Sequence, residues 1–230
     1  MIDSFKDSYY KFFTWDKSKS LNKLYTDRIK KKVKEMDSCA QTSEIIKTLI
    51  KPKESILDIG CGTGYLFCSL KERINFNFRY FGIDANPNFV KIGNNELKKY
   101  KLKNPLKCVR VENFSGKFDY IVCLNFLSYI DNYHKVLERL LLSAKKGIIL
   151  RESLTKKSDY KYVVDKYLDK PIKLSVYVNS YNKEDFVNFI KSYGFSAKLV
   201  KDQRTGGNKE LVIGYPQYWN FVIAKKKLNF

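Results

Sequence analysis

Residues 55–64 read Ser-Ile-Leu-Asp-Ile-Gly-Cys-Gly-Thr-Gly, an apolar strand that closes on an acid and runs into three glycines at alternate positions. Gly60, Gly62 and Gly64 free the backbone to turn sharply and to approach a ligand with no Cβ in the way. The helix expected to start near Tyr65 aims its first N–H groups at the same place. The spacing is G-x-G-x-G, whereas a dinucleotide fingerprint reads G-x-G-x-x-G/A, and Tyr65 stands where its last small residue belongs. Asp58, two residues before the first glycine, would repel a pyrophosphate. It suits a ligand that presents a cationic amino group or hydroxyls to the turn.

Outward from this turn, strand and helix patterns alternate. The spacing predicts a helix from 38 to 50 capped by Ser38, strand 55–59, helix 64–73, strand 79–83, helix 87–100, strand 107–111, strand 118–123, helix 131–144 and strand 147–151. Such alternation implies a parallel sheet covered on both faces, with ligands at the carboxyl ends of its strands near the point where strand order reverses. A helix over 183–193 stopped by Gly194, then strands 196–201 and 219–225 joined by a hairpin over 202–217, complete the chain.

Leu57-Asp58-Ile59-Gly60-Cys61-Gly62-Thr63-Gly64 resembles the first motif of the class I S-adenosylmethionine-dependent methyltransferases. Phe81-Gly82-Ile83-Asp84-Ala85-Asn86-Pro87 resembles that family's second strand, which closes on an acid for the ribose hydroxyls. Phe118-Asp119-Tyr120-Ile121-Val122-Cys123-Leu124 and Lys146-Gly147-Ile148-Ile149-Leu150 resemble its fourth and fifth strands, so the likeness covers roughly residues 45–151. It implies an α/β fold: a Rossmann-like, doubly wound, mostly parallel seven-stranded sheet with an antiparallel last strand. It also implies S-adenosyl-L-methionine as cofactor and S-adenosyl-L-homocysteine as product. Carried onto this sequence, the family's binding positions are Asp58, Gly60, Cys61, Gly62 and Gly64 for the methionine and ribose part. Asp84 and Ala85 fall at the ribose, Glu112 or Asn113 at the adenine amino group, and Leu124 and Asn125 beside the methionine portion. The N-P-P-Y-like tetrapeptide of amino-methylating nucleic-acid enzymes is absent, for Leu124-Asn125-Phe126-Leu127 follows the fourth strand.

On this reading residues 1–230 form one domain. Residues 1–50 make a helical cap, 51–152 the cofactor-binding core, 153–182 an insertion on the acceptor side, and 183–230 the closing helix and antiparallel strands. The aromatic residues Phe5, Tyr9, Tyr10, Phe12, Phe13 and Trp15 need cover, either as a static cap or as a lid. The insertion carries Tyr160, Tyr162, Tyr167, Tyr177 and Tyr181 and either walls the acceptor pocket or forms a surface excursion with a small core of Val163, Val164, Leu168, Ile172, Leu174 and Val176. Methyl transfer to a hydroxyl needs a base, and the candidates are His134, the only histidine, and the pair Arg151 and Glu152 at the end of the fifth strand. A structural ion pair is the competing reading of the latter. Tyr181, Asp202 and Arg204 are candidates for holding an anionic acceptor.

The net charge of +20, from 44 Lys and Arg against 24 Asp and Glu, invites a nucleic-acid partner. The lysines are spread along the chain, and the one dense cluster, Arg28-Ile29-Lys30-Lys31-Lys32-Val33-Lys34, reads as the solvated face of a helix whose apolar side is Leu24, Ile29 and Val33. Five scattered cysteines without a C-x-x-C pair signal neither a metal site nor a disulfide framework, and point to a reducing cytoplasm. No apolar run reaches spanning length, and Met1-Ile2-Asp3-Ser4-Phe5-Lys6-Asp7 lacks the form of a secretory leader. The expected activity is O-methylation, or else N-methylation, of a small polar metabolite, with a nucleotide-linked or phosphorylated sugar of surface polysaccharide synthesis as the sharper form. An RNA or tRNA methyltransferase and a non-catalytic binding protein of the same fold are the alternatives. The oligomeric state is not legible.

Overall fold

The computed structural model describes residues 18–166, 168–170 and 172–227. Two helices come first, α1 (Lys19–Ile29) and α2 (Asp37–Lys47). The sheet region follows as β1 (Ser55–Ile59), α3 (Leu66–Arg73), β2 (Arg79–Asp84), α4 (Pro87–Leu97), β3 (Leu106–Cys108), β4 (Phe118–Leu124), α5 (Tyr133–Ser143) and β5 (Ala144–Thr155). After β5 come β6 (Tyr162–Val164), β7 (Ser175–Tyr177), β8 (Tyr181–Asn182), α6 (Lys183–Ser192), β9 (Phe195–Lys201), β10 (Lys209–Val212) and β11 (Tyr215–Lys226).

The sheet runs β3–β2–β1–β4–β5–β11, with β9 and β10 also paired to β11. The first five strands are parallel, and β11 lies antiparallel between β5 and β9. Strand order reverses between β1 and β4, so the crevice at their carboxyl ends receives the glycine turn. Side-chain alternation builds the two cores. Leu57, Ile59, Ile121, Cys123, Ile148 and Leu150 face α5 and α6, while Ile56, Val122 and Ile149 face Ile46 of α2 and Leu66 and Leu70 of α3.

Several boundaries differ from the sequence expectation. The third strand stops at Cys108, and the chain closes a 3-10 turn at Val111–Asn113 that buries Val111. Helix α2 starts at Asp37 with Met36 as N-cap, and Ser38 lies buried inside its first turn. Helix α1 ends at Ile29, so Val33 falls beyond it and is exposed, as is Leu24; the buried face carries Ile29. The insertion folds as the hairpin β6–β7 over a small core of Leu168, Leu174, Val176 and Val178, against which Leu21 of α1 and Tyr129 pack. Val164 points outward from it. The aromatic residues from Phe5 to Trp15, and Tyr167, lie outside the described residues. Among the described residues, no helix is long and apolar enough to cross a membrane.

Candidate active site

At the end of β1 the backbone enters the left-handed region at Gly60 (φ +65°), Gly62 (φ +55°) and Gly64 (φ +75°), which side chains other than hydrogen rarely tolerate. Space is as restrictive as conformation. A Cβ on Gly60 would lie 2.6 Å from the Phe126 ring, and one on Gly62 would lie 2.6 Å from the Tyr25 ring. The turn is tied to β2 because the Gly62 N–H donates to Asp84 Oδ2 at 2.8 Å. Asp84 Oδ1 accepts from the Asn86 N–H, also at 2.8 Å. Burial raises the Asp84 carboxyl above its usual range and these backbone donors oppose the rise. A carboxylate offers about four acceptor positions, so Asp84 retains capacity for hydroxyl donors.

Between these elements lies a cavity of about 320 Å³, within the range that small ligands fill. Asp84, Ala85, Asn86, Val111 and Glu112 form its β2–β3 side; Gly60, Tyr65, Leu124, Asn125 and Phe126 form its β1–β4 side. Helix α1 roofs it with Tyr25 and Arg28. Tyr25 stacks on Phe89 with ring centroids 4.3 Å apart, and the Thr63 hydroxyl donates to the Tyr25 carbonyl at 3.0 Å. Two polar atoms of the wall, Asn86 Nδ2 and Glu112 Oε1, are buried with no hydrogen-bond partner among the described residues. Buried polar groups are ordinarily paired, so a donor and an acceptor left open in one wall point to a polar ligand.

The cavity gathers Gly60, Asp84, Ala85, Glu112, Leu124 and Asn125 from the residues singled out in the sequence. Gly62 and Gly64 shape the turn behind it. Asn113 is exposed and turned away, so of the pair at the end of the third strand it is Glu112 that reaches the wall. Asp58 sits beneath the turn, where it accepts the Tyr80 hydroxyl at 2.7 Å, and burial pushes its carboxyl up to about 7. Cys61 is buried under the same turn against Gly82, its thiol raised by burial.

The candidate catalytic and acceptor residues fall elsewhere. His134 is exposed on α5, stacked on Tyr133 and edge-on to Phe189. Arg151 and Glu152 are both buried and both hold the segment that leaves β4, from opposite faces of β5. Arg151 donates to Asn125 Oδ1 and stacks 4.5 Å over the Trp219 ring. Glu152 accepts from the N–H groups of Phe126, Leu127 and Ser128 and from the Ser128 hydroxyl. Both thus brace the segment that carries Asn125 and Phe126 into the cavity wall. Asp202 is buried against Arg151, Arg204 forks onto Glu210, and Tyr181 is buried in the core with its hydroxyl donating to the Leu127 carbonyl. None of these six lines the cavity.

Residues 57–149 match the family model described as a methyltransferase domain. The ubiquinone biosynthesis O-methyltransferase of Saccharomyces cerevisiae is 29% identical over 111 residues, 46% of this chain and 35% of that protein. Among solved structures, an S-adenosylmethionine-dependent methyltransferase from Clostridium acetobutylicum superposes with a TM-score of 0.59 at 17% identity, covering 88% of this chain and 96% of the other. The matched stretch, residues 57–149, resembles a methyltransferase domain, and the fold is shared with S-adenosylmethionine-dependent methyltransferases. A second structural neighbour, the amino pentose methyltransferase CalS10 of Micromonospora echinaspora with S-adenosylmethionine bound, has a TM-score of 0.57 at 13% identity, covering 83% and 91% of the two chains. The curated relatives are matched over 35% to 40% of their own length.

The cavity fits a nucleoside-bearing cofactor on its own chemistry: a carboxylate with spare acceptor positions, an open amide donor, an open carboxylate acceptor and three side-chain-free turn positions. Sequence reading missed Tyr25, Arg28, Phe89 and Tyr129, which also line it. The available signal was the spacing of Tyr25 and Ile29 at i, i+4, which marks the inward stripe of α1.

Proposed function

We propose that this chain binds S-adenosylmethionine in the cavity and transfers its methyl group to a small-molecule acceptor. The observation that carries the reading is Asp84, held at the end of β2 by the N–H of Gly62 in the glycine turn and open toward the cavity. The sulfonium of the bound cofactor supplies an electrophilic methyl group. Asp84 accepts ribose hydroxyls, Glu112 Oε1 accepts an adenine amino hydrogen, and Gly60 lets the ligand lie against the backbone. Asn125, fixed by Arg151, and Phe126, fixed by Glu152, form the opposite wall. Positioning of this kind supplies much of the rate in a displacement whose reacting atoms must be held about 3 Å apart.

For the acceptor, a hydroxyl or amino group of a sugar is the reading we favour. Its support is the relationship to an O-methyltransferase at 29% identity and to the fold of an amino pentose methyltransferase. The basic run argues less for RNA than its composition suggests, because Lys30, Lys31 and Lys34 lie beside Glu96, Glu72 and Asp37. The test is transfer of labelled methyl from the cofactor to a panel of nucleotide sugars, amino sugars and bulk RNA. Label on a sugar supports the reading, label on RNA alone replaces its acceptor, and no transfer with intact cofactor binding favours a binding protein.

A further inference from the structure

The hairpin that follows β5 sorts its side chains by chemistry. Tyr160, Tyr162 and Val164 stand at alternate positions through β6 and are 59%, 47% and 48% exposed, while Val163 between them packs on the small core of Leu168, Leu174 and Val176. Tyr177, opposite Tyr162 on β7, holds its ring 4.7 Å from that of Tyr162 and extends the same outer face. Exposed lysines flank this face at both ends, Lys156 and Lys157 before β6 and Lys166, Lys170 and Lys173 at the tip. Residues 156–173 hold six lysines against three aspartates. The acids turn inward: Asp159 pairs with Lys161, Asp169 accepts from Ser18 Oγ and the Ser20 N–H, and Asp165 is half-buried where β6 ends. Among the described residues, no carboxylate lies within ion-pair distance of the five flanking lysines.

An aromatic and aliphatic strip between two basic ends matches the surface of an anionic bilayer. The rings and Val164 enter the headgroup layer, the lysines meet lipid phosphates and carboxylates, and the two contributions add. A single-stranded nucleic acid would share the charge but needs open ring faces on which its bases stack, and the Tyr162 and Tyr177 rings cover each other. A second copy of the chain would bring two basic tips together, which repel. The face also stands close to the site, because Tyr129, which lines the cavity, packs on the small core beneath the hairpin.

We propose that the outer face of β6–β7, with the lysines at its two ends, docks the protein on the surface of an anionic lipid bilayer. The docking is independent of which molecule fills the cavity. A net charge of +20 draws the whole chain toward any anionic surface, so the proposal concerns these rings and lysines rather than the total.

The test is co-sedimentation of the full chain with vesicles of phosphatidylcholine alone and of phosphatidylcholine mixed with phosphatidylserine. The face variant combines Tyr160→Ser, Tyr162→Ser and Val164→Ser, and the tip variant combines Lys166→Glu, Lys170→Glu and Lys173→Glu. A control variant, Lys145→Glu with Lys198→Glu and Lys225→Glu, makes the same change of net charge at exposed lysines near the opposite end of β5 and its neighbours β9 and β11. The wild type is expected to sediment with the mixed vesicles and not with phosphatidylcholine alone. The face and tip variants should each bind at least about tenfold more weakly, and the control should stay within about threefold of the wild type. Melting temperatures show that each variant is folded; if the face variant is not, the tip variant, which changes only exposed lysines, decides. No binding to the mixed vesicles, equal binding to both vesicles, a folded face variant that binds as the wild type does, or a control that loses as much as the tip variant overturns the proposal. So does binding of single-stranded RNA in place of vesicles, or a wild-type dimer that the face variant splits.

Discussion

Arg151 Nε donates to Asp202 Oδ2 at 2.7 Å with both side chains almost wholly buried, 2% and 1% exposed. The pair joins β5 to the end of β9, and through Arg151 it reaches Asn125 in the cavity wall. Asp202 also closes the following turn, accepting from the N–H and hydroxyl of Thr205. Arg151 holds the Asp202 carboxyl below its usual range against the opposing effect of burial.

Removing one partner leaves a buried charge alone, which costs about 3–5 kcal/mol. Asp202→Ala is therefore expected to be strongly destabilised in urea unfolding. Because the folded carboxyl is depressed, the stabilisation from this pair is complete above the ordinary carboxylate range, about pH 4, and is lost as pH falls below it. The gap between wild type and variant should close in acid and stay constant from pH 5 to 8.

Asp58 has the opposite sign. Burial pushes its carboxyl up to about 7, so the folded protein holds a proton that the unfolded chain releases near pH 4. Stability from this group is full below pH 4 and declines as pH rises toward 7, by at most about 1.4 kcal/mol per pH unit. Glu152, also pushed up to about 7 by burial, acts in the same direction. Asp58→Asn should therefore flatten, without abolishing, the fall in melting temperature between pH 5 and 7. An unchanged slope would show that Asp58 is ionised throughout.

Gly60→Ala tests the close approach of backbone to ligand. At φ +65° the left-handed conformation costs an alanine about 1–2 kcal/mol, and its Cβ would overlap the Phe126 ring. The variant is expected to melt lower and to bind S-adenosylhomocysteine at least about tenfold more weakly.

His134→Ala, by contrast, should leave methyl transfer within about twofold, since the imidazole lies on the exposed side of α5 stacked on Tyr133. A loss of two orders of magnitude in kcat would return it to the catalytic candidates.

What the sequence made legible is local. The glycines, Asp84 and the strand that delivers each lie within a few residues of one another, and their geometry follows from the turn they make. Glu112 and Asn113 differ by one residue, and only the 3-10 turn after Cys108 decides which reaches the wall. Arg151 and Glu152 look like a charged pair at a catalytic rim, yet consecutive strand residues point to opposite faces, and each is absorbed by partners 24 to 51 residues away. Tyr25 and Arg28 escape for a related reason: reading the basic run 28–34 as one helical face puts Leu24 and Val33 on its apolar side, whereas α1 ends at Ile29 and presents Tyr25 to the cavity.

Calorimetric titration of S-adenosylmethionine into the wild type and Asp84→Ala, with melting temperatures to confirm that both are folded, bears on the whole reading. Binding by the wild type and a loss of at least about tenfold in the folded variant is the expected result. A wild type that binds no S-adenosylmethionine, or a folded Asp84→Ala that binds it undiminished, would contradict the assignment of this cavity as the cofactor site.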